Sequence, residues 1–240
     1  MKSIILAAGR GTRIPQFSKK KPKCMIQING KSILKRQIDF FNKLRIEEIV
    51  IVRGYKKNFL KIKNIKYIDN EKFKTSEQLE SLNCAKGELD GELIISFSDI
   101  IYDFKILKKI ILSKNDKITL AIDKNWKKRY KNRYDHPYEQ ADKVKLNKKD
   151  EVKKIGKEIS IDDADAEFLG ILKINNSGAK IFKEYFKKLN KSEIKKMQIH
   201  HFINYLSKKN VRINTCSVFG KYMEIDTYND YKISKKMFKK

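Results

Sequence analysis

The order of apolar runs constrains this chain most. Strand-like stretches at 2–8 (KSIILAA), 47–52 (EEIVIV), 65–69, 92–97 (ELIISF) and 117–122 alternate with segments of helical periodicity. In 33–44, Ile33, Leu34, Ile38, Phe41 and Leu44 fall on one helical face, and further helices are expected near 55–61, 76–87 and 104–113. Strands separated by helices need crossover connections, which implies a largely parallel sheet covered on both faces. From 124 to 165 the chain is more polar, with short strand-like pieces at 143–146 and 152–155 and the acidic turn IDDADAE, and it reads as an inserted lid. The parallel pattern is expected to resume at 167–174, followed by helices at 178–189 and 193–207, a strand at 211–216 and a helix at 228–238. The expected fold class is α/β: a mixed, mostly parallel central sheet flanked by helices. Residues 1–240 form one domain in this reading, and residues 124–165 its inserted substrate-binding lid.

Forty per cent of the 240 residues are hydrophobic, enough for one substantial core, and this excludes a disordered chain although 35% are charged. Cys24, Cys84 and Cys216 are odd in number and far apart, which argues against a disulfide framework or a thiolate zinc site and fits a reducing compartment. No apolar stretch is long enough to span a bilayer. The opening MKSIILAAGRG breaks into glycine and arginine without a cleavage-like segment, so it reads as a buried strand of a cytoplasmic protein. The net charge of +27 comes mostly from dispersed lysine, since only eight of the 56 basic residues are arginine. A sequence-specific nucleic-acid reader would concentrate the planar arginine fork, so the charge reads as a solvated surface that attracts small anions.

The first strand runs into Leu6-Ala7-Ala8-Gly9-Arg10-Gly11-Thr12-Arg13. Ligands of open parallel sheets bind at the carboxyl ends of strands, where a glycine loop lets backbone N–H groups approach phosphate. Ile14-Pro15 replaces the third small residue of a dinucleotide fingerprint, and no Gly-Lys-Ser/Thr follows as in a P-loop. What remains is a phosphate loop of a third kind or a plain tight turn.

Lys21-Pro22-Lys23, then Cys24-Met25-Ile26-Gln27-Ile28 as a strand, and the turn Asn29-Gly30-Lys31-Ser32 follow. The combined pattern AAGRGTR…KPKCMIQINGKSIL resembles the nucleotidyltransferases that join an NTP to a small phosphorylated or phosphonylated compound, in the cytidylyltransferase branch; Cys24 and Ser32 are its departures. The resemblance implies a dinucleotide-binding-like fold in which an acceptor phosphate attacks the α-phosphorus and pyrophosphate leaves. Such a reaction brings anions together, so cations and Mg²⁺ must neutralise them and hold an in-line geometry. By resemblance, Arg13 binds the β/γ-phosphates and Lys23 the α-phosphate, and these are the catalytic candidates. The nucleotide site would comprise Leu6, Ala7, Ala8, Gly9, Gly11, Thr12, Arg13, Lys23, Thr75, Ser76, Ser81 and Ser98. Lys74–Leu82 resembles the loop and helix over the base, with Ser76 in place of the usual Asn; an N-capped helix would look the same.

Asp99, after ELIISF, and Asp226, in Tyr222-Met223-Glu224-Ile225-Asp226-Thr227, resemble the family's two Mg²⁺ ligands, although either could cap a helix. In the lid, Arg129, Arg133-Tyr134-Asp135-His136-Pro137 and Glu139-Gln140-Ala141-Asp142, with Ile155-Gly156-Lys157 and Glu167-Phe168-Leu169-Gly170, resemble the acceptor-facing region of cytidylyltransferases of phosphonate pathways. Arg129, Arg133, His136, Lys157 and Glu167 are therefore the acceptor-binding candidates. Glu139, Asp142, Asp163 and Asp165 could pair these cations or read an amine on the substrate. His200-His201 reads as packing and surface. The implied activity is Mg²⁺-dependent transfer of CMP from CTP, with phosphoglutamine of capsule modification ahead of aminoethylphosphonate and phosphocholine. The alternatives are a sugar-1-phosphate uridylyl- or thymidylyltransferase and a non-catalytic binder of anionic polymers. The partners expected are CTP and the small acceptor, with no specific nucleic acid and no membrane span, and a homodimer is compatible with the reading.

Overall fold

The computed structural model describes residues 1–239. Its centre is four strands in the spatial order β5-β4-β1-β6: β1 Lys2–Ala7, β4 Glu48–Arg53, β5 Lys66–Asp69 and β6 Leu93–Phe97, all mutually parallel. Ile4, Ile5, Val50, Ile51, Val52, Ile94 and Ile95 are fully enclosed, as strands covered on both faces require. The first crossover holds α1 (Pro15–Ser18), the ribbon β2 (Gln27–Ile28) with β3 (Lys31–Ser32), and α2 (Ile33–Lys43). Ser32 caps α2 by accepting from the Lys35 N–H. The second, from β4 to β5, holds only a 3₁₀ turn at Lys57–Phe59 where a helix was expected at 55–61, and the third, from β5 to β6, carries α3 (Gln78–Cys84). Past β6 come β7 (Ile100–Tyr102), α4 (Phe104–Ile111), β8 (Ile118–Asp123) and α5 (Lys127–Tyr130).

The strands in the lid segment, β9 (Lys143–Leu146) and β10 (Val152–Gly156), extend the central sheet through β11 (Ala166–Ile174). The remainder, 126–141, wraps a small aromatic core of Trp126, Tyr130 and Tyr138. α6 (Asn176–Lys188), α7 (Lys191–Lys196) and α8 (Ile199–Lys208) then lead to β12 (Asn214–Ser217), β13 (Tyr222–Glu224) and α9 (Tyr228–Met237). No helix among the described residues is long and apolar enough to cross a membrane.

Three further local expectations fail for identifiable reasons. β11 does not resume the parallel pattern: it runs antiparallel to β6, β8 and β9, and a bulge between Phe168 and Leu172 places Gly170 at φ +67°, where a Cβ would strike the Phe97 ring. The helix expected over 193–207 is two helices, because the Lys195 and Met197 carbonyls turn to accept from the Glu77 and Leu79 N–H groups at the start of α3. The stretch 24–28 is a 3₁₀ turn at Lys23–Met25 before the two-residue β2.

Candidate active site

A cleft of about 230 Å³ opens at the carboxyl ends of β1 and β6. Thirteen expected residues line it: Leu6, Ala7, Ala8, Gly9, Gly11, Thr12, Arg13, Lys23, Ser76, Ser81, Ser98, Asp99 and Asp226. Gly11 has φ +62°, and a Cβ there would lie 2.9 Å from the Lys23 Cβ; the bare backbone lets the loop settle against the lysine stem. Thr75 does not line the cleft. It is exposed, and its hydroxyl turns back towards the Lys72 carbonyl at 3.4 Å.

The two distant aspartates meet because β7 and β13 form an antiparallel ladder with Glu224 opposite Ile100. Asp99 enters β7 and Asp226 leaves β13, and the Ile225 N–H donates to the Asp99 carbonyl at 3.0 Å. Between them lies the Lys23 ammonium, 2.8 Å from Asp99 Oδ2 and also in contact with Asp226 Oδ1. Arg13 Nη1 reaches the other Asp226 oxygen at 2.5 Å. Burial disfavours charge on both Lys23 and Asp226. Attraction nevertheless wins: Asp99 and Asp226 hold Lys23 above its ordinary pKa, and Lys23 and Arg13 hold Asp226 below the usual carboxylate range. Half-buried Glu224 goes the other way, since burial and then the Asp226 and Asp99 charges push its carboxyl well above the ordinary value. Burial beside Asp99 pushes the Cys24 thiol up to about 12, so this lining residue stays protonated and is no nucleophile.

Buried polar side chains absent from the sequence reading hold the cleft in shape. Gln37, on α2, donates to the Phe97 and Ile100 carbonyls, both at 2.9 Å, and so pins the turn that carries Ser98 and Asp99. Asn70 accepts from the Lys72 N–H at 2.9 Å and donates to the Ser76 and Ser81 hydroxyls at 3.1 and 3.0 Å. Ile14, Phe73, Glu77, Gln78 and Phe97 complete the wall. Nothing in the residue spacing singles out Gln37 or Asn70, whose partners lie on other elements.

The lid cations differ from expectation in their surroundings. Arg129 is gripped between the carboxylates of Asp123 and Glu167, and Tyr130 donates to Glu167 at 2.5 Å. Arg133 is buried, donating to Asp230 Oδ1 at 2.8 Å and to the Glu224 carbonyl at 3.2 Å. The partners of these arginines are thus Asp123, Glu167 and Asp230 rather than Glu139, Asp142, Asp163 or Asp165. His136 is buried, its Nδ1 3.5 Å from Asp230 Oδ2 and 3.8 Å from Asp226 Oδ2, while Nε2 has no partner among the described residues. Lys157 lies exposed, 3.3 Å from Gln140 Oε1. His200 is buried with its Nδ1 3.4 Å from Asp142, and His201 beside it is exposed.

A glycine loop, two cations and two carboxylates converge at the strand ends, an arrangement chemically able to hold a nucleoside triphosphate. Comparison with known proteins agrees. Residues 3–118, just under half of the chain, match the MobA-like NTP transferase domain. The chain is 27% identical to the CTP:phosphoglutamine cytidylyltransferase of Campylobacter jejuni over 97% of this chain and 98% of that protein. It is 34% identical to the choline-phosphate cytidylyltransferase of Streptococcus pneumoniae over 42% of this chain and 46% of that one. Among solved structures, the inositol-1-phosphate CTP transferase of T. maritima shares the fold with a TM-score of 0.78 and 20% identity, covering 98% of this chain and 95% of its own.

Proposed function

We propose that the protein transfers CMP from CTP to the phosphate of a small acceptor, releasing pyrophosphate, and that the acceptor is phosphoglutamine. The carrying observation is the convergence of Arg13, Lys23, Asp99 and Asp226 in the loop cleft. CTP as donor and phosphoglutamine as acceptor are drawn from the cytidylyltransferase that matches along nearly the whole chain. Binding begins at the loop, whose backbone faces the triphosphate, with Ser76 and Ser81 on the wall assigned to the base. An oxygen of the acceptor phosphate forms a bond to the α-phosphorus as the bond to the pyrophosphate oxygen breaks. The acceptor is already ionised, so no general base is needed. Arg13 and Lys23 neutralise the triphosphate and the departing charge, each worth ~4 kcal/mol of raw attraction at ~4 Å in an effective dielectric of ~20.

Asp99 and Asp226 suit Mg²⁺: both are hard oxygen donors, and they already converge on one cation, the Lys23 ammonium. When bound, the metal would supply charge neutralisation at the phosphates. Lys23 would then leave its place between the carboxylates for the α-phosphate. Residues 124–165 serve in this reading as the acceptor-side lid, and the reaction takes place in the cytoplasm, where thiols such as Cys24, Cys84 and Cys216 remain reduced.

The test is pyrophosphate release with each of the four NTPs, Mg²⁺ and a panel of phosphorylated and phosphonylated acceptors. Release with CTP and phosphoglutamine is expected. Turnover confined to UTP or dTTP with a hexose-1-phosphate would replace this reading by a sugar nucleotidyltransferase.

A further inference from the structure

The carboxylate of Asp230 joins the lid segment to the cleft. Asp230 is fully buried at the first turn of α9, and its two oxygens are divided between two tasks. Oδ1 accepts from Arg133 Nε at 2.8 Å, across 97 residues of sequence. Oδ2 accepts from the backbone N–H groups of Asp226 at 3.1 Å and Thr227 at 2.9 Å, which set the path of the chain at Asp226. His136, from the same lid segment, places its Nδ1 near both Asp230 Oδ2 and Asp226 Oδ2.

Helix capping explains only part of this. A capping box at Thr227 and Asp230 needs the Thr227 N–H bond and its reciprocal, and both are present. It does not need a third bond to the Asp226 N–H, full burial or a buried arginine from a distant segment. A buried ion pair is a poor stabiliser when set against its desolvation, and its best-attested use is to fix one arrangement among several. Groups that orient a ligand from behind fix how a metal site is presented.

We propose that Asp230 is a positioning residue that aims the Asp226 carboxylate at Asp99 when the segment 126–141, bearing Arg133 and His136, is seated. Seating the acceptor-side segment and readying the two-carboxylate site are then one event, transmitted through a single side chain. The inference rests on the metal role given to Asp226 above, but it concerns how that residue is held and does not depend on which nucleotide is used.

The full-length chain is titrated with Mn²⁺, followed by electron paramagnetic resonance, with hydrogen exchange of residues 126–141 measured in parallel. Asp230→Asn keeps the size and a capping oxygen but gives Arg133 a neutral partner; Arg133→Met leaves Asp230 intact and lies outside the two-carboxylate site. Both variants are expected to weaken Mn²⁺ binding by about 10–100-fold and to speed exchange across 126–141, while Arg133→Lys recovers part of the affinity. In turnover, the Mg²⁺ dependence shifts to higher concentration, with the KM for nucleotide changed far less. Unchanged Mn²⁺ affinity in folded Arg133→Met would overturn the coupling. Absence of Mn²⁺ binding in the wild-type chain, with or without CTP, would instead remove the metal role from Asp226 and the inference with it.

Discussion

Lys23 Nζ lies 2.8 Å from Asp99 Oδ2 and occupies the space where Asp99 and Asp226 face each other. In the proposed reaction its ammonium opposes a divalent cation in the free protein and serves the phosphates during turnover. These two roles give opposite signs in one variant. Lys23→Met is expected to lower kcat by roughly 10²–10³-fold, the loss typical for removal of one charge-stabilising donor. The same variant is expected to bind Mn²⁺ more tightly than the wild type in the absence of nucleotide. A variant inactive but with weaker Mn²⁺ binding would show that the lysine does not occupy the cation position.

Asn70 orders the wall on which Ser76 and Ser81 stand. Its orientation is fixed by the Lys72 N–H, which needs an acceptor and so turns the amide nitrogen towards the serine hydroxyls. With their oxygens accepting from Asn70, both hydroxyl protons are free to donate into the cleft. Asn70→Ala strips this order and leaves the buried Ser81 hydroxyl and the Lys72 N–H without a partner, at a cost of about 1–3 kcal/mol. Chemical denaturation should read that loss, and the KM for nucleotide should rise in the folded variant.

The loop and its meeting with Lys23 in one cleft were legible because they are local: 6–13 and 21–32 are contiguous, and the glycines and cations sit at fixed offsets along the chain. Asp99 and Asp226 were legible as motif residues, but their meeting depends on the β7–β13 ladder, which neither strand announces alone. The change of character over 124–165 was legible in composition, and its pairing was not. Arg133 could have faced any of the nearby acids, yet its partner is Asp230, far along the chain on α9. Gln37 and Asn70 were invisible for the same reason, since an amide in an amphipathic segment carries no mark of the carbonyls or hydroxyls it will meet in three dimensions.

Arg129 tests what the lid cations are for. Its guanidinium is clamped between Asp123 and Glu167 and stacks on the Tyr222 ring at 5.0 Å. Arg129→Met leaves two nearly buried carboxylates without their cation, a loss of about 3–5 kcal/mol. The melting temperature should fall by roughly 10 °C for a chain of this size. Lys157→Ala, on the exposed surface, should leave it unchanged. A KM effect on the acceptor at Lys157 without any change in melting would assign that lysine to binding, while a purely thermal effect at Arg129 would assign the arginine to structure.

Glu224 gives the chain a pH dependence of unusual sign. A carboxyl whose pKa is higher in the folded than in the unfolded protein keeps its proton on folding. Between its ordinary value of 4.5 and the raised one, the native state binds more protons, so stability falls as pH rises through that window. Asp226 and Asp230, both held below the ordinary 3.8, contribute the opposite slope, and theirs is confined to pH below that value. Glu224→Gln mimics the protonated side chain at every pH. In metal-free buffer the wild type should lose melting temperature relative to the variant as pH rises above the ordinary value of 4.5, with the gap widening steadily as the carboxyl is forced to ionise beside Asp226 and Asp99. Parallel melting profiles for the two proteins would show that Glu224 is already ionised in the folded chain, and that the cleft holds three negative carboxylates around Lys23 rather than two.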